Sequence, residues 1–183
     1  CTAEPDNTHF KNGLAISYEK LGDTHSSLGN LDTALQYFEK QNKLSQELYT
    51  VYLQNVTFKK GLAVSFGKLG ETHSSLGNLN TALGFFEQCN QLAKKLYTAY
   101  PTNWDFKNGL AISYIFLGNT HLSLGYLNKA LSNYNESNEL SRELYEENNQ
   151  NVKFKNDYAI SYEKLGVTHR SSGNLDMALS YFE

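Results

Sequence analysis

The sequence predicts an all-α solenoid of paired antiparallel helices, on three observations. One segment recurs four times at a fixed interval, apolar residues inside each copy step by three or four, and a glycine interrupts every copy at the same place. The segment FKNGLAISYEKLGDTHSSLGNLDTAL at Phe10 returns as FKKGLAVSFGKLGETHSSLGNLNTAL at Phe58. It returns again as FKNGLAISYIFLGNTHLSLGYLNKAL at Phe106 and FKNDYAISYEKLGVTHRSSGNLDMAL at Phe154. The interval is 48 residues each time. A fixed period of this size marks a repeat architecture.

The first element of each copy is a helix. In copy one Phe10, Leu14, Tyr18, Leu21, His25 and Leu28 form one stripe at helical spacing. The break follows at Leu28-Gly29-Asn30-Leu31: Gly29, Gly77, Gly125 and Gly173 can take the left-handed conformation that ends a helix. Asn30 or Asp32 can then accept hydrogen bonds from the free amides of the next helix. Leu31, Leu35, Phe38, Leu44 and Leu48 form the second stripe, and a second break falls near Asn55, Asn103 and Asn151, each placed to cap the following helix. Pro101 adds a stop in copy two. Each helix spans roughly 20 residues, about 30 Å.

One apolar stripe per helix cannot be buried within a single hairpin, so copies must stack. Ala15 and Gly22 recur as Ala63/Gly70, Ala111/Gly118 and Ala159/Gly166. A glycine in a helix interior costs about 1 kcal/mol relative to alanine, so its return in every copy predicts that a neighbouring helix passes close there.

These residues resemble the tetratricopeptide repeat, whose pattern is an aromatic, Leu-Gly, an aromatic, a Gly turn, Ala and an aromatic. In copy one they are Tyr18, Leu21-Gly22, His25, Gly29, Ala34 and Phe38. The later copies carry Phe66, Leu69-Gly70, His73, Gly77, Ala82, Phe86; Tyr114, Leu117-Gly118, His121, Gly125, Ala130, Tyr134; and Tyr162, Leu165-Gly166, His169, Gly173, Ala178, Phe182. Histidine stands where the family commonly has tyrosine. The unit is about 14 residues longer than the usual repeat of roughly 34, as in the long-helix repeats of kinesin light chains and bacterial arrays. HEAT and armadillo repeats have similar lengths, but the Leu-Gly, glycine-turn and Ala-aromatic series favours the tetratricopeptide reading. The resemblance implies a right-handed superhelical solenoid of about three and a half repeats in one unit over residues 1–183, the repeats covering about 6–54, 55–102, 103–150 and 151–183.

Composition narrows the function classes. With 40% hydrophobic and 19% charged residues the chain reads as a folded soluble protein. A net charge of -3 with mixed signs argues against a nucleic-acid footprint, and no apolar run approaches the roughly 20 residues that span a bilayer. Cys1 and Cys89 are isolated, which suits a cytoplasmic setting. The sequence opens without Met or a signal segment and stops inside an apolar-periodic stretch, Met177 to Glu183, so it reads as an excerpt of a longer protein. The histidine ladder His25, His73, His121 and His169 offers one imidazole per rung, and successive rungs stand on the order of 10 Å apart. A metal site needs ligands converging at about 2 Å, so the rings are expected to fill the gap between paired helices, bonded to a Ser or Thr hydroxyl. No catalytic residue, metal ligand or cofactor is assigned, and no enzymatic activity is expected.

The resemblance further implies that the first helices line a concave face where a partner lies. The groove set is Asn12, Glu19, Asp23, Lys60, Glu71, Asn108, Ile115, Phe116, Asn119, Leu122, Glu163 and Arg170. The family's carboxylate clamp uses Lys, Arg and Asn on this face, whereas Glu19, Asp23, Glu71 and Glu163 would repel a carboxylate. A chaperone-tail adaptor is therefore disfavoured, and a neutral or basic protein or peptide segment is expected. Copy three departs from the others, reading Ile115-Phe116 where they carry Glu-Lys or Gly-Lys. With Leu122 these side chains are expected to form an apolar anchor pocket or to pack on a neighbouring helix. The expected function is a protein-interaction scaffold, with a regulatory sensor arm controlling an attached catalytic or NTPase domain as the alternative. Copy four lacks most of its second helix, so Tyr162, Leu165, Leu179 and Phe182 are expected to lose cover and to allow end-to-end self-association.

Overall fold

The computed structural model describes residues 5–183, with side chains from residue 7; Cys1 lies outside them. Among the described residues every element is a helix: α1 Pro5–Ser27, α2 Leu31–Val51, α3 Val56–Ser75, α4 Leu79–Ala99, α5 Trp104–Ser123, α6 Leu127–Glu147, α7 Val152–Ser171 and α8 Leu175–Phe182. Consecutive pairs form the four helical hairpins that the repeat requires. None of these helices is long and apolar enough to cross a membrane. The chain divides into two compact units, Cys1–Leu92 and Ala93–Glu183, with the boundary inside α4.

The turn within each hairpin is built on the glycine. Gly29, Gly77, Gly125 and Gly173 have φ between 77° and 80°. The glycine amide bonds three residues back, and the next amide reaches five back to the histidine carbonyl (Asn30 N to His25 O, 2.9 Å; Asn78 N to His73 O, 2.8 Å). This is the Schellman arrangement, which satisfies carbonyls that a helix end leaves free. Between hairpins Asn55 and Asn103 cap α3 and α5 by accepting from the amides of Phe58 and Phe106, both at 3.1 Å. Asn151 does the same for α7, accepting from Lys153 and Phe154. Asn30 departs from expectation: its side chain makes no capping bond, whereas Asn174 at the same position of copy four accepts from the amide of Met177 at 3.4 Å.

The helix-interior glycines face a ring rather than a neighbouring backbone. A Cβ on Gly22, Gly70, Gly118 or Gly166 would fall within 3.0 Å of Phe38, Phe86, Tyr134 or Phe182 in the paired helix. Each aromatic of the second helix thus lies against the first helix of its own hairpin. Hairpins then join through the next leucine: Ala34 and Phe38 pack against Leu69, and Ala130 and Tyr134 against Leu165. Burying a ring of this size contributes roughly 1.5–3 kcal/mol.

Leu165 corrects the expectation for copy four. It is buried against the preceding hairpin, while Leu179 and Phe182 are the exposed members of that set and Tyr162 is half-buried. A buried polar seam runs beside these apolar contacts. Asn42 donates to Ser65 Oγ at 2.9 Å, and Asn138 to Ser161 Oγ at 2.8 Å, each pairing the second helix of one hairpin with the first helix of the next. Ser65 and Ser161 are fully buried, so a shifted register would leave them short of a partner.

Candidate partner-binding groove

In the first unit α1 and α3 run side by side, with Phe38 of α2 beneath them. Between them is a cavity of about 400 Å³ lined by Asp23, Ser26 and Ser27 of α1, Lys68, Glu71, Thr72 and Ser75 of α3, and Phe38. The helical spacing of Asp23, Ser26 and Ser27, and of Lys68, Glu71, Thr72 and Ser75, is what turns each set toward the same space.

Charge in this groove is unbalanced toward acid. Lys68 Nζ lies 2.8 Å from Asp23 Oδ1. Burial opposes the lysine charge, but Asp23, with help from Glu71 and Glu19, outweighs it and raises the ammonium above its ordinary range. Glu19 is half-buried and accepts from Gln41 Nε2 at 2.8 Å. Burial first and the Asp23 carboxylate second raise it above the usual carboxylate range, against the lowering by Lys68 and Lys20. Glu71 stands exposed as a residue, yet protein around its carboxyl displaces water and raises it, with Asp23 adding to the rise and Lys68 opposing it. Three carboxylates therefore share Lys68, a field that favours an incoming cation.

The corresponding positions in the second unit have other chemistry. Asn119 replaces Asp23, and its Oδ1 accepts from the hydroxyl of Tyr134 at 2.8 Å. Burial pushes that phenol up to about 12. Ile115 and Leu122 are half-buried and pack on the Ala130, Tyr134 and Leu165 cluster, the second of the two arrangements open to them from sequence. Phe116 is half-buried. Asn108 is buried, and in the amide orientation that satisfies both ends it donates to Asp157 at 3.2 Å and accepts from Lys153 at 3.0 Å, joining α5 to α7. Of the remaining groove set, Asn12 is half-buried on α1, Lys60 is exposed on α3, and Glu163 and Arg170 are exposed on α7. The structure thus brings Glu19, Asp23 and Glu71 together, and separately Ile115, Asn119 and Leu122.

Three of the ladder histidines stack on an aromatic ring of the paired helix. His25 stacks on Tyr37 with centroids 5.5 Å apart, His73 on Phe85 at 5.4 Å and His169 on Tyr181 at 5.5 Å. In copy three the aromatic is replaced by Asn133, whose Nδ2 lies 3.2 Å from His121 Nδ1. The Nδ1 atoms of His25 and His73 are buried without a hydrogen-bond partner, as expected where the neighbour is a ring face. Cys89 is buried, and burial pushes its thiol up to about 11, leaving it protonated at neutral pH.

Comparison with known proteins follows the same lines. The tetratricopeptide repeat model matches residues 15–48 and 111–144. No curated protein matches the chain. Among solved structures, BtubC (BKLC) from P. vanneervenii superposes with a TM-score of 0.74 at 17% identity, covering 92% of this chain and 60% of its own. The Rap conjugation gene regulator of the plasmid pLS20, in complex with the Phr* peptide, superposes at 0.68 and 15% identity, covering 99% of this chain and 44% of its own. The chain therefore spans about half the length of these structures. The tetratricopeptide repeat model thus matches two segments of this chain, and its paired-helix fold is similar to that of these solved structures.

Proposed function

We propose that this chain is a protein-interaction scaffold whose α1/α3 groove takes a segment of a partner protein carrying a basic side chain. The observation that carries the reading is the placement of Asp23 and Glu71 with Lys68 in the lining of one cavity, with Glu19 acting on the same lysine. An arginine or lysine entering there relieves the repulsion among the carboxylates. A carboxylate entering the same space meets like charge. The Rap regulator, a neighbour of the same fold, holds a peptide, which supports peptide occupancy as the mode.

The test uses fluorescence anisotropy with two labelled probes, a short Leu/Arg peptide and its Leu/Glu counterpart. The Arg probe is expected to bind, and to weaken as salt shortens the screening length. Glu71→Lys is expected to lower its affinity about tenfold, the size of a lost charge contact. Equal binding of both probes, or an Arg probe indifferent to Glu71→Lys, overturns the reading.

A further inference from the structure

The acidic groove already holds a cation of its own chain. Lys68 of α3 reaches across to α1, its Nζ 2.8 Å from Asp23 Oδ1, and both side chains line the same cavity. An ammonium is thus what occupies this space from within.

One carboxylate suffices to hold one lysine, and the groove supplies more. Lys68 pairs directly with Asp23, while Glu71, in the same lining, forms no ion pair of its own among the described residues. Thr72 and Ser75 of that lining donate their hydroxyl protons to carbonyls of their own helix, so neither gives one to a carboxylate. Glu19, which Lys20 partly offsets on its own helix, adds a third carboxylate to the field on Lys68. In the second unit the same repeat positions read Asn119, Lys164 and Val167. There the lysine recurs without either acid, so the excess of acid belongs to this groove and is not a requirement of the lysine.

Lys68 is held against opposition. It is half-buried, and removal from water disfavours its charge, which the acids outweigh. Its stem is flexible and an ammonium is strongly hydrated, so turning outward restores hydration that the groove withholds. An arginine presents a planar fork of donors that can reach two acceptors at once, whereas the ammonium acts as a point charge.

We propose that Lys68 is an internal stand-in for the partner's cation: it occupies Asp23 until an arginine of the partner displaces it and takes Asp23 and Glu71 together. The proposal rests on the groove taking a basic side chain, and it makes Lys68 the residue that sets how tightly the groove does so.

Fluorescence anisotropy with the labelled Leu/Arg peptide tests this on single variants, each first checked for wild-type helical circular dichroism. Lys68→Gln removes the competitor and is expected to bind about tenfold more tightly than wild type, the size of one charge contact. Lys68→Arg keeps a cation beside Asp23 and is expected to bind no more tightly than wild type. Lys60→Gln removes the same charge from the exposed surface of α3, outside the cavity lining, and is expected to change affinity less than about twofold. A Lys68→Gln chain that binds as wild type does or more weakly, or a gain matched by Lys60→Gln, overturns the proposal. Loss of the peptide by Glu71→Lys in the same series then shows that the groove reading survives it. A peptide bound by neither wild type nor Lys68→Gln overturns both.

Discussion

At the scale of single residues, the glycines separate space from helix propensity. Gly61 and Gly70 lie on the same helix; a Cβ at Gly61 meets nothing within 4 Å, while one at Gly70 meets the Phe86 ring. Alanine is the better helix former by about 1 kcal/mol, and overpacking costs roughly 1–3 kcal/mol. Gly61→Ala is therefore expected to raise the urea midpoint and Gly70→Ala to lower it; two shifts of the same sign would refute the ring-on-glycine packing. The recurrence of these glycines was legible in sequence, but their partner was not, because spacing along one helix does not say which side chain crosses it. The rings that stack on the histidines were hidden for the same reason: the covering aromatic belongs to the other helix of the hairpin. The Tyr37, Phe85, Asn133, Tyr181 series was the available signal, since its one polar member accompanies the one histidine held by an amide.

The acidic groove carries a pH signature at the same scale. Glu71 is raised in the folded chain, so between the usual carboxylate range and that raised value the native state holds more protons than the unfolded state. Its contribution to stability then falls as pH rises through that window. Glu71→Gln removes the contribution, so the variant is expected to gain on wild type between pH 4.5 and pH 7, read as the difference in urea midpoint at the two values. A difference independent of pH would refute the raised carboxyl.

At the scale of elements, the two kinds of helix start are secured differently. Asn103 caps α5 through its side chain, whereas α2 begins from a Schellman turn in which the Asn30 side chain takes no part. Asn103→Ala is expected to cost about 1 kcal/mol, and Asn30→Ala to leave thermal stability nearly unchanged; equal losses would mean that the turn does not carry α2 by itself. Helix limits were readable because an apolar stripe, a capping asparagine and a left-handed glycine agree at each boundary. The hidden part was polar. Ser65, Thr72, Ser161 and Thr168 are among the most buried residues, yet hydropathy places them outside any stripe. Each is satisfied by a carbonyl of its own helix, and the two serines also accept from asparagines across the seam. These bonds let a small hydroxyl residue stand in a close contact where a larger apolar one would hold the helices apart.

At the scale of the whole molecule, a repeat chain has stability that depends on position, since each hairpin is held by its neighbours. The last element is the weakest by this measure. The α8 helix has eight residues, shorter than the roughly 12–15 at which an isolated helix becomes even marginal in water. It is held by Ala178, by Phe182 on Gly166 and by the stack of Tyr181 on His169. Ala159 is exposed, whereas its counterparts Ala15, Ala63 and Ala111 are buried. By contrast α2 and α6 each have a first helix on both sides, with Phe38 and Tyr134 fully enclosed. Hydrogen exchange at low protein concentration is therefore expected to be fastest in Leu175–Phe182 and slowest in the middle of α2 and α6. Protection in α8 equal to that of α6 in dilute solution would show that its own hairpin suffices to hold it, and that cover from a neighbouring hairpin is not what stabilises the other three.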